Sequence, residues 1–151
     1  MKEQENPFGF DPEQDVVPEP IVIISGGFDP VQSGHTALFR AASKRGQIHI
    51  LLNSDAWLSR KKGSSILPYT VRADVLNLMV HEVHQVDDRD DTVILGLREL
   101  RKKHPNTKMY FVDSNAKKGP QSSEIKAQAQ FCKELRIEVL WGDGKITEED
   151  K

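Results

Sequence analysis

Short apolar runs and longer amphipathic segments alternate along most of the chain. The apolar runs have the length of strands in a sheet that is covered on both faces. The predicted strands are residues 21–25, 48–52, 83–86, 108–112 and 138–141. Apolar residues in the intervening segments recur with the spacing of an α-helix. The predicted helices are residues 34–45, 69–80, 92–104 and 122–135.

Helical spacing also predicts which faces of two helices pack on the core. In the helix 92–104, one face carries the apolar residues Val93, Leu97 and Leu100. The opposite face is mostly charged, with Arg98, Glu99, Arg101 and Lys102. In the helix 69–80, the expected inward residues are Val71, Val75, Leu78 and Met79. The alternation predicts a single Rossmann-like, doubly wound α/β domain with a parallel sheet of about five strands, helices on both faces and right-handed crossovers.

The first 20 residues have a different composition. Acidic residues alternate there with prolines, and few residues are apolar. Such a segment cannot bury enough surface to offset its ordering entropy, so residues 1–20 are predicted to form an acidic, extended or disordered arm. Phe8 and Phe10 leave open that the arm docks on the domain or on a partner subunit, although an idle tail is the favoured interpretation. Residues 21–151 form the predicted domain.

Composition restricts the partners and the compartment. The chain has 151 residues, of which 37% are hydrophobic, and this is enough for one core. A formal net charge of -2 gives no general attraction to nucleic acid or to an anionic membrane, so neither is an expected partner. The single cysteine, Cys132, excludes an internal disulfide, and its neighbours Phe131 and Leu135 favour a buried thiol over a nucleophile. Because no apolar run approaches the roughly 20 residues of a membrane span and the N-terminus is acidic, we expect a cytoplasmic protein.

The most informative segment is the turn Gly-Gly-Phe-Asp-Pro-Val-Gln-Ser-Gly-His at residues 26–35. It joins the first predicted strand to the first predicted helix. Backbone N–H groups near its glycines can approach an anion closely, and the first turn of the helix adds unpaired donors and a positive dipole. His35 can direct its imidazole to the same place. In a doubly wound sheet this turn lies where ligands bind, so the segment predicts a phosphate-binding site.

The same turn resembles that of the cytidylyltransferase-like nucleotidyltransferases, whose pattern after the first strand is G-x-F-D-x-x-H-x-G-H. The residues that fit are Gly26 or Gly27, Phe28, Asp29, Gly34 and His35. Gln32 stands where the first histidine is usual. A second block resembles the L-N-S-D-A…K-G…P-x-x-x-R run of the heptose 1-phosphate adenylyltransferases. Its residues are Leu52-Asn53-Ser54-Asp55-Ala56, Lys62-Gly63, Pro68 and Arg72, and the resemblance covers about residues 21–92.

The resemblance implies an in-line transfer of a nucleotidyl group from ATP or CTP, with Mg²⁺, to a phosphorylated sugar or polyol. The implied catalytic residues are His35 as a neutral hydrogen-bond donor, Lys62 as a mobile cation and Gln32 as an amide donor. The implied nucleotide-binding residues are Gly26, Gly27, Phe28, Asp29, Gly34, Asn53, Asp55, Lys61 and Arg72. Asp29 is expected to cap the turn or, as a second choice, to help hold Mg²⁺.

The segment after the second strand has simpler explanations that stay open. Asn53, Ser54 and Asp55 are expected to cap a helix that begins near residue 56, and they can line the site as well. Residues 60–63 are expected on a flexible loop, where Lys61 can substitute for Lys62. Both lysines can instead be ordinary solvated charge.

Three further groups also have ordinary structural explanations. The segment 26–35 can be a plain strand-to-helix turn, and Arg72 can pair with Asp74 or with another nearby acid. His81 and His84 flank the third strand and are expected to pack at the surface or at the core edge. No Cys/His cluster has metal-ligand spacing, so neither a structural zinc nor a metal-ligating residue is expected.

Three departures from the family pattern qualify the function. Replacing the first histidine by Gln32 removes about 1.5–3 kcal/mol of charge-assisted bonding, so activity is expected to be reduced roughly tenfold to a hundredfold rather than lost. The K-G-G-D-Y segment that follows the fourth strand in heptose enzymes is replaced by residues 113–116, which puts the sugar specificity in doubt. The usual S-T-[ST] helix start is missing, and Lys117, Lys118, Ser122 and Ser123 are its candidate replacements.

The leading hypothesis is therefore a nucleotidyltransferase that transfers an adenylyl group to a heptose-like 1-phosphate. A cytidylyltransferase acting on glycerol 3-phosphate is the nearest variant. A nucleotide-binding relative without turnover is the alternative from a different class, and an unrelated Rossmann-like protein is a third. A homodimer is possible, with the Trp57 region, expected to be exposed, or the N-terminal arm at the interface.

Overall fold

A computed structural model of the protein describes residues 17–113 and 123–141. Strands and helices alternate along these residues. The strands are β1 (Ile21–Gly26), β2 (Gln47–Leu52), β3 (Glu82–Gln85), β4 (Met109–Asp113) and β5 (Ile137–Trp141). The helices are α1 (Ser33–Ser43), α2 (Asp55–Lys62), α3 (Tyr69–Asn77), α4 (Ile94–Lys103) and α5 (Ser123–Glu134).

The strands form one parallel sheet in the order β3-β2-β1-β4-β5. The chain moves from β1 outward to β3, then returns to place β4 on the other side of β1. This reversal is the switch point of a doubly wound sheet, and ligands bind in the crevice beyond the carboxyl ends of the strands there. The predicted Rossmann-like α/β fold is confirmed, and the turn at residues 26–35 lies at that point.

Each face of the sheet has its own core, because side chains alternate along the buried central strand. Ile21 and Ile23 of β1 pack on the face that is covered by α4 and α5. Val22 and Ile24 pack on the face that is covered by α1 and α3. Cys132 of α5 is fully buried in the first core, as expected for a structural thiol.

The inward face of α3 differs from the predicted one. The four apolar residues that were expected inside are partly or largely exposed: Val71, Val75, Leu78 and Met79. The buried residues are Arg72 and Leu76, which are four positions apart and therefore share one face. The prediction is wrong because the guanidinium of Arg72 finds backbone acceptors below the helix. Arg101, which was placed outside on α4, is also buried and donates to the carbonyl oxygens of Leu135 and Thr107.

The helix predicted to begin near residue 56 is α2, and it continues through residues that were expected on a loop. Ser54 is the N-cap of α2, and its hydroxyl oxygen accepts a hydrogen bond from the N–H of Trp57 at 3.0 Å, so the predicted cap is confirmed. Residues 60–62, which were expected on a flexible loop, form the last turn of α2. Gly63 ends the helix with a left-handed φ of 87°, a conformation that glycine adopts without a Cβ penalty.

The N-terminal arm predicted for residues 1–20 lies outside the described residues except for its last four. Those four have no regular secondary structure, and the carbonyl oxygen of Pro20 accepts a hydrogen bond from the N–H of Gln47. Lys117, Lys118 and Ser122 also lie outside the described residues. None of the helices in the described ranges is both long enough and apolar enough to cross a bilayer.

Gly46 follows α1 and is buried where the chain runs against Pro20. A Cβ at this position would overlap the carbonyl oxygen of Pro20, and a backbone atom cannot rotate away as a side chain can. We expect Gly46→Ala to lower the free energy of unfolding in urea by about 1–3 kcal/mol. Gly34→Ala is the matched control, since a Cβ on Gly34 has no atom within 4 Å. Equal unfolding free energies for the two variants would contradict this packing.

Candidate active site

A cavity of about 280 Å³ opens at the carboxyl end of β1, beside the amino end of α1. Most of its lining comes from residues that the sequence analysis assigned to the site. The predicted residues that line it are Gly26, Gly27, Phe28, Asp29, Gln32, His35 and Lys62. Gly34 is exposed in the first turn of α1 and is outside this lining. The turn 26–35 and the end of α2 therefore face each other across one concave surface.

His35 is held in a defined tautomer. Its Nδ1 accepts a hydrogen bond from the backbone N–H of Gln32 at 3.0 Å. A neutral imidazole that accepts at Nδ1 carries its proton on Nε2, so Nε2 is the donor. Burial lowers the pKa of His35, and the positive charge of Lys62 lowers the pKa further. The ring is therefore neutral at pH 7 and offers one N–H.

The bond from Gln32 to His35 explains how a glutamine is tolerated here. The donor is the backbone N–H of Gln32, which does not depend on the side chain. Replacement of a histidine by glutamine at this position thus leaves the orientation of His35 intact. The exposed amide of Gln32 lies in the lining of the cavity as a separate polar group.

Phe28 fixes the turn between β1 and α1. Its φ is 48°, in the left-handed region that bulky residues rarely adopt. The cost of that conformation is offset by packing, since the ring is 6% exposed and lies 5.7 Å from the ring of Phe39. The ring also meets His35 edge-on, with 4.8 Å between centroids. Phe28 therefore sets both the path of the turn and the position of the imidazole.

Asp29 joins the turn to the loop that precedes α3. Its two carboxylate oxygens accept hydrogen bonds from the N–H groups of Ile66 and Leu67, each at 2.6 Å. The predicted cap of its own turn is not the contact observed, because Asp29 binds the amides of the neighbouring loop instead. Asp29 is the one carboxylate in the lining of the cavity, and its oxygens are engaged in this way.

Arg72 does not face the cavity, which corrects its predicted contact with phosphates. The residue is 1% exposed, and its guanidinium donates to four protein oxygens. These are the carbonyl oxygens of Leu67, Gly27 and Asn53 and the carboxylate of Asp55. The simpler interpretation, pairing with a nearby acid, is confirmed with Asp55 as the partner at 2.6 Å rather than Asp74.

Asn53 and Asp55 belong to this supporting network and lie outside the lining of the cavity. The hydrogen bond from Arg72 lowers the pKa of Asp55 below its usual value. Asn53 is buried and donates from its side chain to the carboxylate of Asp88 at 3.0 Å. Their predicted nucleotide contacts are therefore not formed by this geometry, because both side chains are bound to protein.

Asp88 is a site-supporting residue that sequence reasoning missed. Its carboxylate is 3% exposed and accepts hydrogen bonds from the N–H and the hydroxyl of Ser54, both at 2.8 Å. Arg60 donates to the carbonyl oxygen of Asp88 and to the carboxylate of Asp91. These bonds fix both ends of α2. The signal in the sequence is the acidic run at residues 87–91, which directly follows the third strand.

Only one of the two predicted lysines reaches the cavity in the described part of the chain. Lys62 is in its lining, whereas Lys61 is outside the lining and pairs with Asp91 at 3.6 Å. Trp57, which was expected in an exposed region, is half-buried and contributes to the lining one helical turn before Lys61. The chemically active groups are thus His35, Lys62, the amide of Gln32 and the backbone of the turn. Together they suit an anionic ligand.

We expect Arg72→Lys to disrupt the site, because an ammonium group cannot reach the four acceptors that the guanidinium fork serves. The free energy of unfolding should fall by about 2–4 kcal/mol. The control is Arg89→Lys, since the side chain of Arg89 is 88% exposed in its pair with Asp87. That variant should stay within about 0.5 kcal/mol of the wild type. Similar decreases in the free energy of unfolding for both variants, measured by urea denaturation, would contradict a stabilising role for the buried network.

The pKa of His35 is directly measurable by NMR titration of its ring proton, with His35→Gln assigning the signal. We expect a value below 6.5 in the free protein, from burial and from the charge of Lys62. Removing that charge in Lys62→Met should raise the pKa toward 6.5. Lys61→Met is the control and should leave it unchanged, because Lys61 pairs with Asp91. A pKa above 6.5, or equal shifts in both variants, would contradict the geometry.

Solved structures that share the fold of this chain include the following two proteins. A lipopolysaccharide core biosynthesis protein from Thermoplasma volcanium superposes with a TM-score of 0.57 and 14% identity, covering 80% of this chain and 93% of that chain. A putative nicotinate-nucleotide adenylyltransferase from Vibrio parahaemolyticus superposes with a TM-score of 0.54 and 18% identity, covering 85% of this chain and 80% of that chain. No curated protein sequence matches the chain.

The chain also matches a protein family, and this match is stronger evidence of relationship than the two distant structures. The cytidylyltransferase-like family matches residues 23–143, which include most of β1, the glycine turn with His35, and every element from α1 to β5. The resemblance inferred from the turn is thereby confirmed, and the protein belongs to the cytidylyltransferase-like family of nucleotidyltransferases.

Proposed function

We propose that the protein transfers a nucleotidyl group, preferably adenylyl, from a nucleoside triphosphate to a phosphorylated sugar or polyol and releases pyrophosphate. The observation that carries this proposal is the pairing of the His35 Nε2–H donor with Lys62 in one cavity at the carboxyl end of β1. A neutral donor and a cation are the groups that stabilise charge on phosphoryl oxygens. Membership of the family supports the same reaction class.

The reaction needs no base from the protein. An oxygen of the acceptor phosphate is already ionised at neutral pH, and it attacks the α-phosphorus as the bond to the β-phosphate oxygen breaks. Pyrophosphate leaves with the electron pair of that bond. His35 donates its Nε2–H to an α-phosphate oxygen and keeps its proton throughout. Lys62 offsets the charge that passes to the leaving pyrophosphate, and the amides of the turn bind the phosphates.

The ligands for Mg²⁺ in this cavity would come from the nucleotide phosphates rather than from protein side chains. Asp29 is the one carboxylate in the lining, and its two oxygens accept the N–H groups of Ile66 and Leu67. The described residues therefore offer the ion no dedicated carboxylate. Mg²⁺ commonly binds through substrate phosphates and water, so we propose that it accompanies the triphosphate.

The proposed base and acceptor rest on the second sequence block, at residues 52–72. The block that resembles heptose 1-phosphate adenylyltransferases favours ATP and a heptose-like 1-phosphate. In the structure its residues Asn53, Asp55 and Arg72 support the turn rather than line the cavity. These three residues would support the turn equally well in a cytidylyltransferase that acts on glycerol 3-phosphate. That activity therefore stays as the nearest variant.

A thermal-shift screen of nucleoside triphosphates and sugar phosphates with Mg²⁺, followed by a pyrophosphate assay, tests the proposal. We expect His35→Gln to lower kcat by about 10²–10³, since one donor to a developing oxyanion is lost. Lys62→Met should lower kcat/KM in the same assay, whereas Lys133→Met, on α5, should not change it. Unchanged turnover in His35→Gln would overturn the assignment of this donor.

The alternative function is nucleotide binding without turnover, and Gln32 is the residue that favours it. Gln32→His separates the two, because the backbone bond that orients His35 survives the change. A weakened enzyme should gain roughly tenfold to a hundredfold in kcat from the charged donor. Nucleotide binding with no pyrophosphate release from either form would support the binding protein instead.

A further inference from the structure

Four of the five histidines gather at the outer edge of the sheet, away from the nucleotide cavity. The ring of His49 on β2 lies 5.1 Å from those of His81 and His84 and 5.9 Å from that of His104, between centroids. Glu82, the first residue of β3, stands opposite His49 in the strand register. The cavity at the other end of the sheet uses none of these residues.

Hydrogen bonds alone do not explain the short contacts among His49, Glu82 and His84. The Nε2 atom of His84 lies 2.9 Å from Nδ1 of His49 and 3.0 Å from a carboxylate oxygen of Glu82. A single ring nitrogen carries at most one proton, which cannot serve both contacts fully. The side chain of His49 is almost fully enclosed, since the residue is 2% exposed. Buried polar atoms are normally fully paired, so the short contact between the two imidazoles calls for another explanation.

A cation held between Nδ1 of His49, Nε2 of His84 and the carboxylate of Glu82 accounts for the short contacts among these atoms. One ligand atom from each of His49, Glu82 and His84 lies within 4.8 Å of the others, and this is the one such group among residues 17–113 and 123–141. The two short contacts are close to the ~3.3 Å that separates ligands around a tetrahedral zinc ion with bonds of about 2.0 Å.

We propose that His49, Glu82 and His84 bind a zinc ion that ties the edge strand β3 to β2. Two histidines and one glutamate are a known zinc ligand set, which leaves a fourth position for water or for a neighbouring imidazole. The sequence analysis expected no zinc, because the three ligands come from two strands and show no motif spacing. The site is independent of the proposed transferase activity.

Zinc binding is tested on untagged protein that has been stripped with a chelator. We expect calorimetry to show one high-affinity equivalent of Zn²⁺, and Zn²⁺ but not Mg²⁺ to raise the unfolding temperature. Glu82→Gln and His84→Gln should each weaken the affinity at least about tenfold. Neither variant opens a large hole in the core, since the side chains of Glu82 and His84 are 49% and 13% exposed. His35→Gln is the control and should bind Zn²⁺ as the wild type does.

Cobalt substitution gives a second readout that does not depend on stability. Co²⁺ in the wild type should show the intense visible absorption of a four-coordinate ion, and His84→Gln should lose it. Two results would overturn the proposal. One is no stoichiometric Zn²⁺ binding by the wild type, and the other is undiminished binding by both Glu82→Gln and His84→Gln.

Discussion

The buried guanidinium of Arg72 is the interaction on which the geometry of the site depends. Its four acceptors belong to the turn after β1, the end of β2, the start of α2 and the loop before α3. A buried charge is costly unless it is fully paired. If these segments separated, the guanidinium would lose its hydrogen-bond partners while it was still buried. One side chain thereby couples the two walls of the cavity.

Two carboxylates hold the segments around the cavity in the same way, by accepting hydrogen bonds from them. Asp29 holds the loop before α3 through two amides, and Asp88 holds the start of α2 through Asn53 and Ser54. The carboxylates of Asp29 and Asp88, at the carboxyl edge of the sheet, therefore accept hydrogen bonds from backbone N–H groups and from the Asn53 amide. The cavity retains a neutral imidazole donor and one lysine, His35 and Lys62. An anionic ligand is favoured there although the chain as a whole carries a net charge of -2.

Sequence reasoning recovered the fold and the centre of the site for physical reasons. Strand and helix periodicity is local, and the turn at residues 26–35 carries its chemistry within ten positions. It failed where long-range partners decide a side chain's direction. Arg72 turned inward because its acceptors lie on four other segments, and this also displaced the expected apolar face of α3. Asp88 and the His49–Glu82–His84 cluster join residues more than 30 positions apart, so no spacing pattern reveals them.

A crystal structure with a bound nucleoside triphosphate analogue tests the central claim most directly, namely that His35 and Lys62 take the phosphates while Arg72 stays in its network. We predict an α-phosphate oxygen within about 3.2 Å of Nε2 of His35, Lys62 against the phosphates, and the four bonds of Arg72 unchanged. Phosphates bound elsewhere, or a guanidinium of Arg72 released from its carbonyl partners to meet them, would contradict the account.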